Sequence, residues 1–417
     1  MKKAFFKIAS ILLIFLMLFS YSSSYAMTEK PPINGSAAIL VELSTGKIIY
    51  EKNSKQKMYP ASTTKIMTAI VVLENSNLSD PVIVTENAIS NIPSGYVTCN
   101  LVAGETQTVE SLLYALLLPS ANDAAYVLAE HIGGSTEGFA NMMNEKASKI
   151  GCTGTHFVNP NGIHNDAQYT TAYDLYLIGK YAMQNEEFRK IVSTLSYTLP
   201  ASDKYPYSDR ILETTNQLIN PNSSSYYYNY ALGIKTGHTT EAGNCLVSMA
   251  SRDNLEFVSV VLDASKTSQG LDARFTDTKK LFEYGYDNYT LTKLHNENDI
   301  IKTIEIENGS KDTKILDLLI KDTITVMNSK DTNVEEIEPE ITLTDPLLAP
   351  ITKGDEVGTI KFTVDNIEYT STLLAGSDVE KKPNYALILI IVGFILLVIG
   401  LRLFRKPSRK KTNRRKR

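Results

Sequence analysis

The chain has 417 residues, of which 43% are hydrophobic and 21% charged, an ordinary globular composition with room for two or three domains and a sizeable core. The net charge of −4 is unevenly spread: setting aside the three lysines of residues 1–26 and the ten Lys or Arg of residues 402–417, segments without acids, leaves −17 on the rest. So acidic a body excludes nucleic acid as its partner, because phosphate binding needs basic patches.

The N-terminus reads as a secretory signal. Lys2, Lys3 and Lys7 precede an apolar run over 8–19, and Ser24-Tyr25-Ala26 supplies small residues for cleavage after Ala26. The alternative is an uncleaved anchor helix. Residues 37–51 alternate as a hairpin turning at Ser44-Thr45-Gly46. A helix with Ile66, Ala69, Ile70 and Leu73 on one face starts near Ser62. Thr108 is placed to cap a second helix that stops around Pro119, and further helices follow over 124–131 and 139–150. After about Tyr226 the pattern turns to strands: 231–234 leads in to Lys235-Thr236-Gly237, which closes that strand, and 245–250 and 256–262 are joined through Arg252-Asp253-Asn254. A last helix covers 273–286. Strands at both ends with helices between predict an α+β domain over 30–288, with an antiparallel sheet flanked by helices and a helical subdomain.

Residues 290–375 read as a small all-β domain. Asn308-Gly309 is a hairpin signal, Lys353-Gly354-Asp355 and Asp365-Asn366 are turns, and Ile360, Phe362 and Val364 alternate. No catalytic pattern stands out there, which suits a spacer. Residues 383–401 carry no charge and 385–401 are apolar all round, which reads as a transmembrane helix over 385–404: about 17–20 helical residues reach ~26–30 Å, close to the thickness of a bilayer's hydrocarbon. The basic tail 405–417 belongs in the cytoplasm by the positive-inside rule, which places the acidic body on the far side of a cell membrane crossed once. Cys99, Cys152 and Cys245 are too widely spaced for a zinc signature and read as buried small hydrophobes. The five histidines contain no H-E-x-x-H pair, which disfavours a zinc peptidase.

Serine nucleophiles need a base beside the hydroxyl, and a lysine three residues later on a helix can supply it. Ser62-Thr63-Thr64-Lys65 has that spacing, as do Ser44…Lys47, Ser54…Lys57 and Ser408…Lys411. Only Ser62 opens a helix, where free N–H groups and the positive dipole end favour a developing oxyanion. Ser120-Ala121-Asn122 follows about 60 residues later and Lys235-Thr236-Gly237 about 115 after that. Each tripeptide alone is unremarkable, but the order S-x-x-K, S-x-N, K-T-G is specific.

With these motifs, and the stretches 59–68, 118–125 and 233–239 around them, the chain resembles the low-molecular-mass penicillin-binding proteins, serine-type D-alanyl-D-alanine carboxypeptidases. The likeness covers about 35–290 well and 290–375 loosely. It departs where the family often has His in place of Asn161, and Gly-His in place of Ala167-Gln168. The resemblance implies the β-lactamase/transpeptidase-like fold and removal of the terminal D-alanine from peptidoglycan stem pentapeptides through an acyl-enzyme. β-Lactams would act as inhibitors, with no metal or organic cofactor. It casts Ser62 as nucleophile, Lys65 as base and Ser120 as proton relay. Asn122 would hold the substrate's peptide amide, Lys235 and Thr236 of the K-T-G run that Gly237 completes would bind its carboxylate with Arg274, and the N–H groups of Ser62 and His238 would form the oxyanion hole. A β-lactamase, a transpeptidase of the same fold and a catalytically silent wall-binding scaffold are the alternatives.

Overall fold

A computed structural model describes residues 29–90 and 92–404. The signal segment 1–26 and the tail 405–417 lie outside the described residues. The chain divides into two units, residues up to Leu291 together with Met327–Asn333, and Thr292–Val326 together with the chain from Val334 on.

In the first unit β1 (Ala37–Glu42) and β2 (Ile48–Lys52) form the expected hairpin. Helices α1 (Lys65–Asn75), α2 (Val109–Leu117), α3 (Asn122–Gly133), α4 (Thr136–Ile150), α5 (Ala172–Ala182) and α6 (Glu186–Val192) follow. Strands β3 (Ala231–Thr239), β4 (Gly243–Arg252) and β5 (Leu255–Ala264) and helix α7 (Ala273–Asn288) complete the unit. The antiparallel sheet has the order β2-β1-β5-β4-β3, so the two ends of the unit's sequence meet where β1 pairs β5. All six residues of β1 are buried because both faces are covered. Ala38 and Leu40 face the core shared with Phe275, Leu281 and Phe282 of α7. Ile39 and Val41 face the larger core with α1 to α6. Arg252 pairs Leu255 across a two-residue turn in which Asp253 and Asn254 take φ of 53° and 64°, a conformation those residue types tolerate. Thr108 caps α2 as predicted, accepting from Ser111 N at 3.2 Å.

Two sequence expectations change. Helix α1 is not one-sided: every residue from Lys65 to Val72 is buried, because helices surround it. A short 3-10 turn, Ala61–Thr64, carries Ser62 into it. Lys235-Thr236-Gly237 does not close its strand, since β3 keeps pairing with β4 as far as Thr239 opposite Gly243. Cys99 and Cys245 are buried, Cys152 is half-buried, and all three are free thiols.

The second unit is all-β apart from its last helix and a short 3-10 turn. Strands β6 (Ile300–Glu305), β7 (Ile315–Ile320), β8 (Glu340–Leu343), β9 (Glu356–Val364) and β10 (Ile367–Ala375) form an antiparallel sheet ordered β6-β7-β10-β9-β8. Ile360, Phe362 and Val364 point into its core, and Asp365 and Asn366 make the two-residue turn with φ of 48° and 65°. Asn308-Gly309 is not a two-residue hairpin connection: Gly309 N donates to the Ile306 carbonyl at 3.0 Å, so Asn308 sits inside a turn over 306–309. It lies within the longer link between β6 and β7, where the Asn308 side chain both accepts from and donates to the backbone of Ala349 (2.7 and 2.9 Å). Helix α8 (Tyr385–Phe404) is long and apolar enough to cross a membrane, and none of its apolar stretch is buried.

Candidate active site

The start of α1, the turn before α3 and strand β3 converge on one cleft of about 400 Å³ in the first unit. Ser62, Ser120, Asn122, Thr236, Gly237, His238 and Arg274, expected from sequence, all line it, and Lys65 and Lys235 are buried. Unpredicted residues complete the wall: Gly95, Tyr96, Val97, Pro119, Thr215, Thr239 and Thr240.

Lys65 reaches Ser62 as the spacing requires. Its Nζ lies 3.1 Å from Ser62 Oγ, 3.0 Å from Asn122 Oδ1 and 2.7 Å from the carbonyl of Asn161. The amine has no exposed surface. Burial, reinforced by the charge of Lys235 and only partly opposed by Asp123, holds it well below the usual lysine range. Asn122 Nδ2 donates to the Val97 carbonyl at 2.9 Å, which turns Oδ1 toward Lys65. The side chain read from sequence as a substrate contact is therefore already bonded at both ends, with one lone pair of Oδ1 left for a ligand.

The positive-φ non-glycine residues at the site are ones that, unlike Asn or Asp, tolerate that conformation poorly. Ala61 and Ser120 adopt φ of 47° and 71°, left-handed values that cost non-glycine residues ~1–3 kcal/mol each. They turn the chain sharply at Ser62 and at the second hydroxyl. Ser120 Oγ is buried without a hydrogen-bond partner among the described residues, so it is free for a ligand.

Lys235 donates to the Thr236 carbonyl at 3.0 Å. Burial first, and the charge of Arg274 second, bring it down to about 7. Thr236 Oγ1 lies 2.6 Å from Thr215 Oγ1. Arg274 donates to the Gly237 carbonyl at 3.0 Å and pairs with Asp272 at 2.9 Å, while its buried Nε has no partner among the described residues. Thr215 and the Asn161 carbonyl are participants that sequence reasoning missed. A backbone carbonyl leaves no mark in residue identity, and Thr215 sits in irregular chain whose course only the folded sheet defines.

Residues 25–266 match the family described as D-alanyl-D-alanine carboxypeptidase, more than half the chain. The chain belongs to the serine-type D-alanyl-D-alanine carboxypeptidase family. Residues 289–381 of this carboxypeptidase match the C-terminal domain of penicillin-binding protein 5. It is 30% identical over 393 residues to D-alanyl-D-alanine carboxypeptidase DacF of Bacillus subtilis (strain 168), covering 91% of this chain and 96% of that one. The D-alanyl-D-alanine carboxypeptidase of Streptomyces sp. (strain K15) is 37% identical over 269 residues, 62% of this chain and 89% of its own. Among solved structures, penicillin binding protein 5 from Haemophilus influenzae superposes with a TM-score of 0.68 at 27% identity, covering 85% of this chain and 100% of that one. The Streptomyces K15 DD-transpeptidase gives 0.57 at 35% identity over 62% of this chain and 99% of that one. The α+β, penicillin-binding-protein fold expected from the sequence is the fold of this carboxypeptidase.

Proposed function

We propose that Ser62 is the nucleophile of this carboxypeptidase, and that its substrates are peptidoglycan stem peptides ending in D-Ala-D-Ala. The observation that carries the reading is the set of three oxygens around one buried amine. Two of them, Asn122 Oδ1 and the Asn161 carbonyl, can only accept. A neutral Lys65 therefore spends its two N–H bonds on them and turns its lone pair to the Ser62 hydroxyl. As Oγ bonds to the carbonyl carbon between the two D-alanines, its proton passes to Lys65. The N–H groups of Ser62 and His238 stabilise the oxyanion, an effect worth ~2.7–4 kcal/mol per donor in such sites. Ser120, unpartnered at rest, passes its own proton to the departing D-alanine nitrogen as the C–N bond breaks and takes up in its place the proton held by Lys65, which leaves Lys65 neutral again. Lys235, Thr236 and Arg274 hold the terminal carboxylate. Water then cleaves the ester and restores Ser62.

Among the described residues no carboxylate lines the cleft. That supports slow loss of a penicillin-derived acyl group, because a β-lactamase needs a base to activate the deacylating water. A DD-transpeptidase reading also has support, since the K15 neighbour carries that name. Incubation of the ectodomain with a D-Ala-D-Ala pentapeptide and an amine acceptor separates the two, because hydrolysis releases free tetrapeptide and transfer gives an adduct. Penicillin should add one acyl group to the intact mass, and labelling that survives Ser62→Ala would refute the assignment.

For the domain plan we propose a catalytic domain over 30–288, a β spacer over 290–375 and a single membrane anchor at 385–404, with 405–417 cytoplasmic and the catalytic unit extracytoplasmic. The support is the apolar, unburied surface of α8 and the charge segregation. Truncation before Pro383 should move the protein from the membrane to the soluble fraction.

A further inference from the structure

The third oxygen around Lys65 is a main-chain carbonyl on a loop, and a loop carbonyl holds a fixed place only if something fixes the loop. That support comes from Gln168 and Asn159, which are buried and outside the cleft. Gln168 Oε1 accepts from the backbone nitrogens of Val158 and Asn159 at 2.9 and 3.0 Å. Its Nε2 donates to Thr64 Oγ1 at 3.3 Å and to Asn159 Oδ1 at 3.2 Å. One side-chain amide thus ties the loop to the residue next to Lys65. Asn159 Oδ1 accepts from Gly162 N at 2.8 Å and its Nδ2 donates to the Ile163 carbonyl at 2.8 Å, closing the turn around Asn161. Thr68, one turn along α1 from Thr64, donates to the Pro160 carbonyl at 2.5 Å. Gly162 is pressed so close that a Cβ there would lie 1.8 Å from the Ala61 carbonyl oxygen.

We infer that Gln168 is a positioning residue for catalysis: through Asn159 and Thr64 it holds the Asn161 carbonyl against Lys65, and so fixes the direction of the amine's lone pair and keeps water off it. The inference rests on the reading of Lys65 as the base. Because burial is what most lowers the affinity of Lys65 for a proton, releasing the loop admits water and moves its titration back toward ordinary lysine. Less of the amine is then neutral at a given pH. A role confined to stability would lower the melting temperature and leave the pH dependence where it was.

The experiment is the rate of acylation by penicillin as a function of pH for wild type, Gln168→Glu and Thr64→Val. Gln168→Glu keeps the shape and exchanges two N–H donors for an acceptor facing Thr64 and Asn159. Thr64→Val removes one acceptor while keeping the volume. Both should shift the acid limb of the profile to higher pH, Gln168→Glu the further. Gln168→Glu should also lower the rate near neutrality about tenfold, a fraction of the ~10²–10⁴-fold that a positioned base contributes as a whole. Wild-type near-UV circular dichroism certifies the fold, and if Gln168→Glu fails to fold, Thr64→Val decides. Folded variants whose limb coincides with wild type overturn the inference while leaving the base intact. A wild-type protein that never forms the Ser62 adduct overturns the reading of Lys65 itself.

Discussion

A Cβ built on Gly237 would lie 3.0 Å from the backbone nitrogen of Ser62. Strand β3 and the start of α1 touch at their backbones, and that approach brings together the two N–H groups proposed as oxyanion donors, those of Ser62 and His238. The same Cβ would meet Thr63 N at 3.1 Å and Ala61 Cβ at 3.2 Å. Backbone atoms on both sides leave little room to yield. Gly237→Ala should therefore fold but splay the hole, lowering penicillin acylation by ~10²–10³-fold, the cost of one lost oxyanion donor. Stopped-flow acylation beside a thermal melt checks this, and unchanged kinetics would show that the donors lie elsewhere.

Removal of the Lys65 amine should be at least as costly. Lys65→Ala is expected to reduce acylation by ~10²–10⁴-fold, the worth of a general base. Lys65→Arg should not rescue it, because guanidinium remains protonated at any working pH. Rescue by arginine, read from the rate of D-alanine release, would mean that the cation's charge matters rather than its basicity.

How far these residues could be read without coordinates depends on the kind of signal. Ser62, Lys65, Ser120 and the K-T-G run are side chains at fixed intervals, so identity and spacing mark them out as candidates. The hairpin at Asp253-Asn254 was legible because its turn demands left-handed residues. The continuation of β3 to Thr239, the full burial of α1 and the place of Thr215 depend on neighbours brought from far along the chain, as β5 is brought to β1. Local periodicity contains none of that. Asn161 contributes a carbonyl that any residue would possess.

Lys235 is held at about 7 by burial and by Arg274. It is a cation below that pH and neutral above it. Affinity for the substrate's terminal carboxylate should thus be complete in acid and weaken as pH rises through about 7. KM for a D-Ala-D-Ala peptide should climb from pH 6 to 9, and an amidated C-terminus should abolish the trend. A flat KM would remove Lys235 from carboxylate binding.

The same lysine should reduce stability. Its proton affinity is lower in the folded chain, about 7 against the ordinary 10.5. The unfolded chain thus binds the extra proton between those values, and stability rises with pH across that window. Below about 7 the destabilisation is complete, because the charge is buried. Lys235→Met should therefore melt higher than wild type at pH 6, at ~2–4 °C per kcal/mol. The advantage should shrink toward pH 10, and acylation should be lost throughout. A lower melting temperature at pH 6 would mean that the ammonium gains more from its neighbours than burial costs it.

Glu105 and Arg210 test how the cleft's rim is held. Both are buried, and they form a two-point pair, Nη1 to Oε1 at 3.0 Å and Nη2 to Oε2 at 3.1 Å. Arg210 also donates to the Asn100 carbonyl at 3.2 Å, and Ser202 donates to Glu105 at 2.8 Å. The pair thus joins the stretch after Tyr96 and Val97 to the segment 202–210. Removing one partner strands a buried charge, so Glu105→Gln or Arg210→Met should each cost ~3–5 kcal/mol. Replacing both by apolar side chains, Glu105→Leu with Arg210→Met, leaves no charge to strand and should recover most of that loss in a denaturant titration. The carbonyl of Asn100 still loses its donor, so the rim should stay loose and KM should remain raised when stability has returned. Stability and KM recovering together would show that the pair serves only the fold.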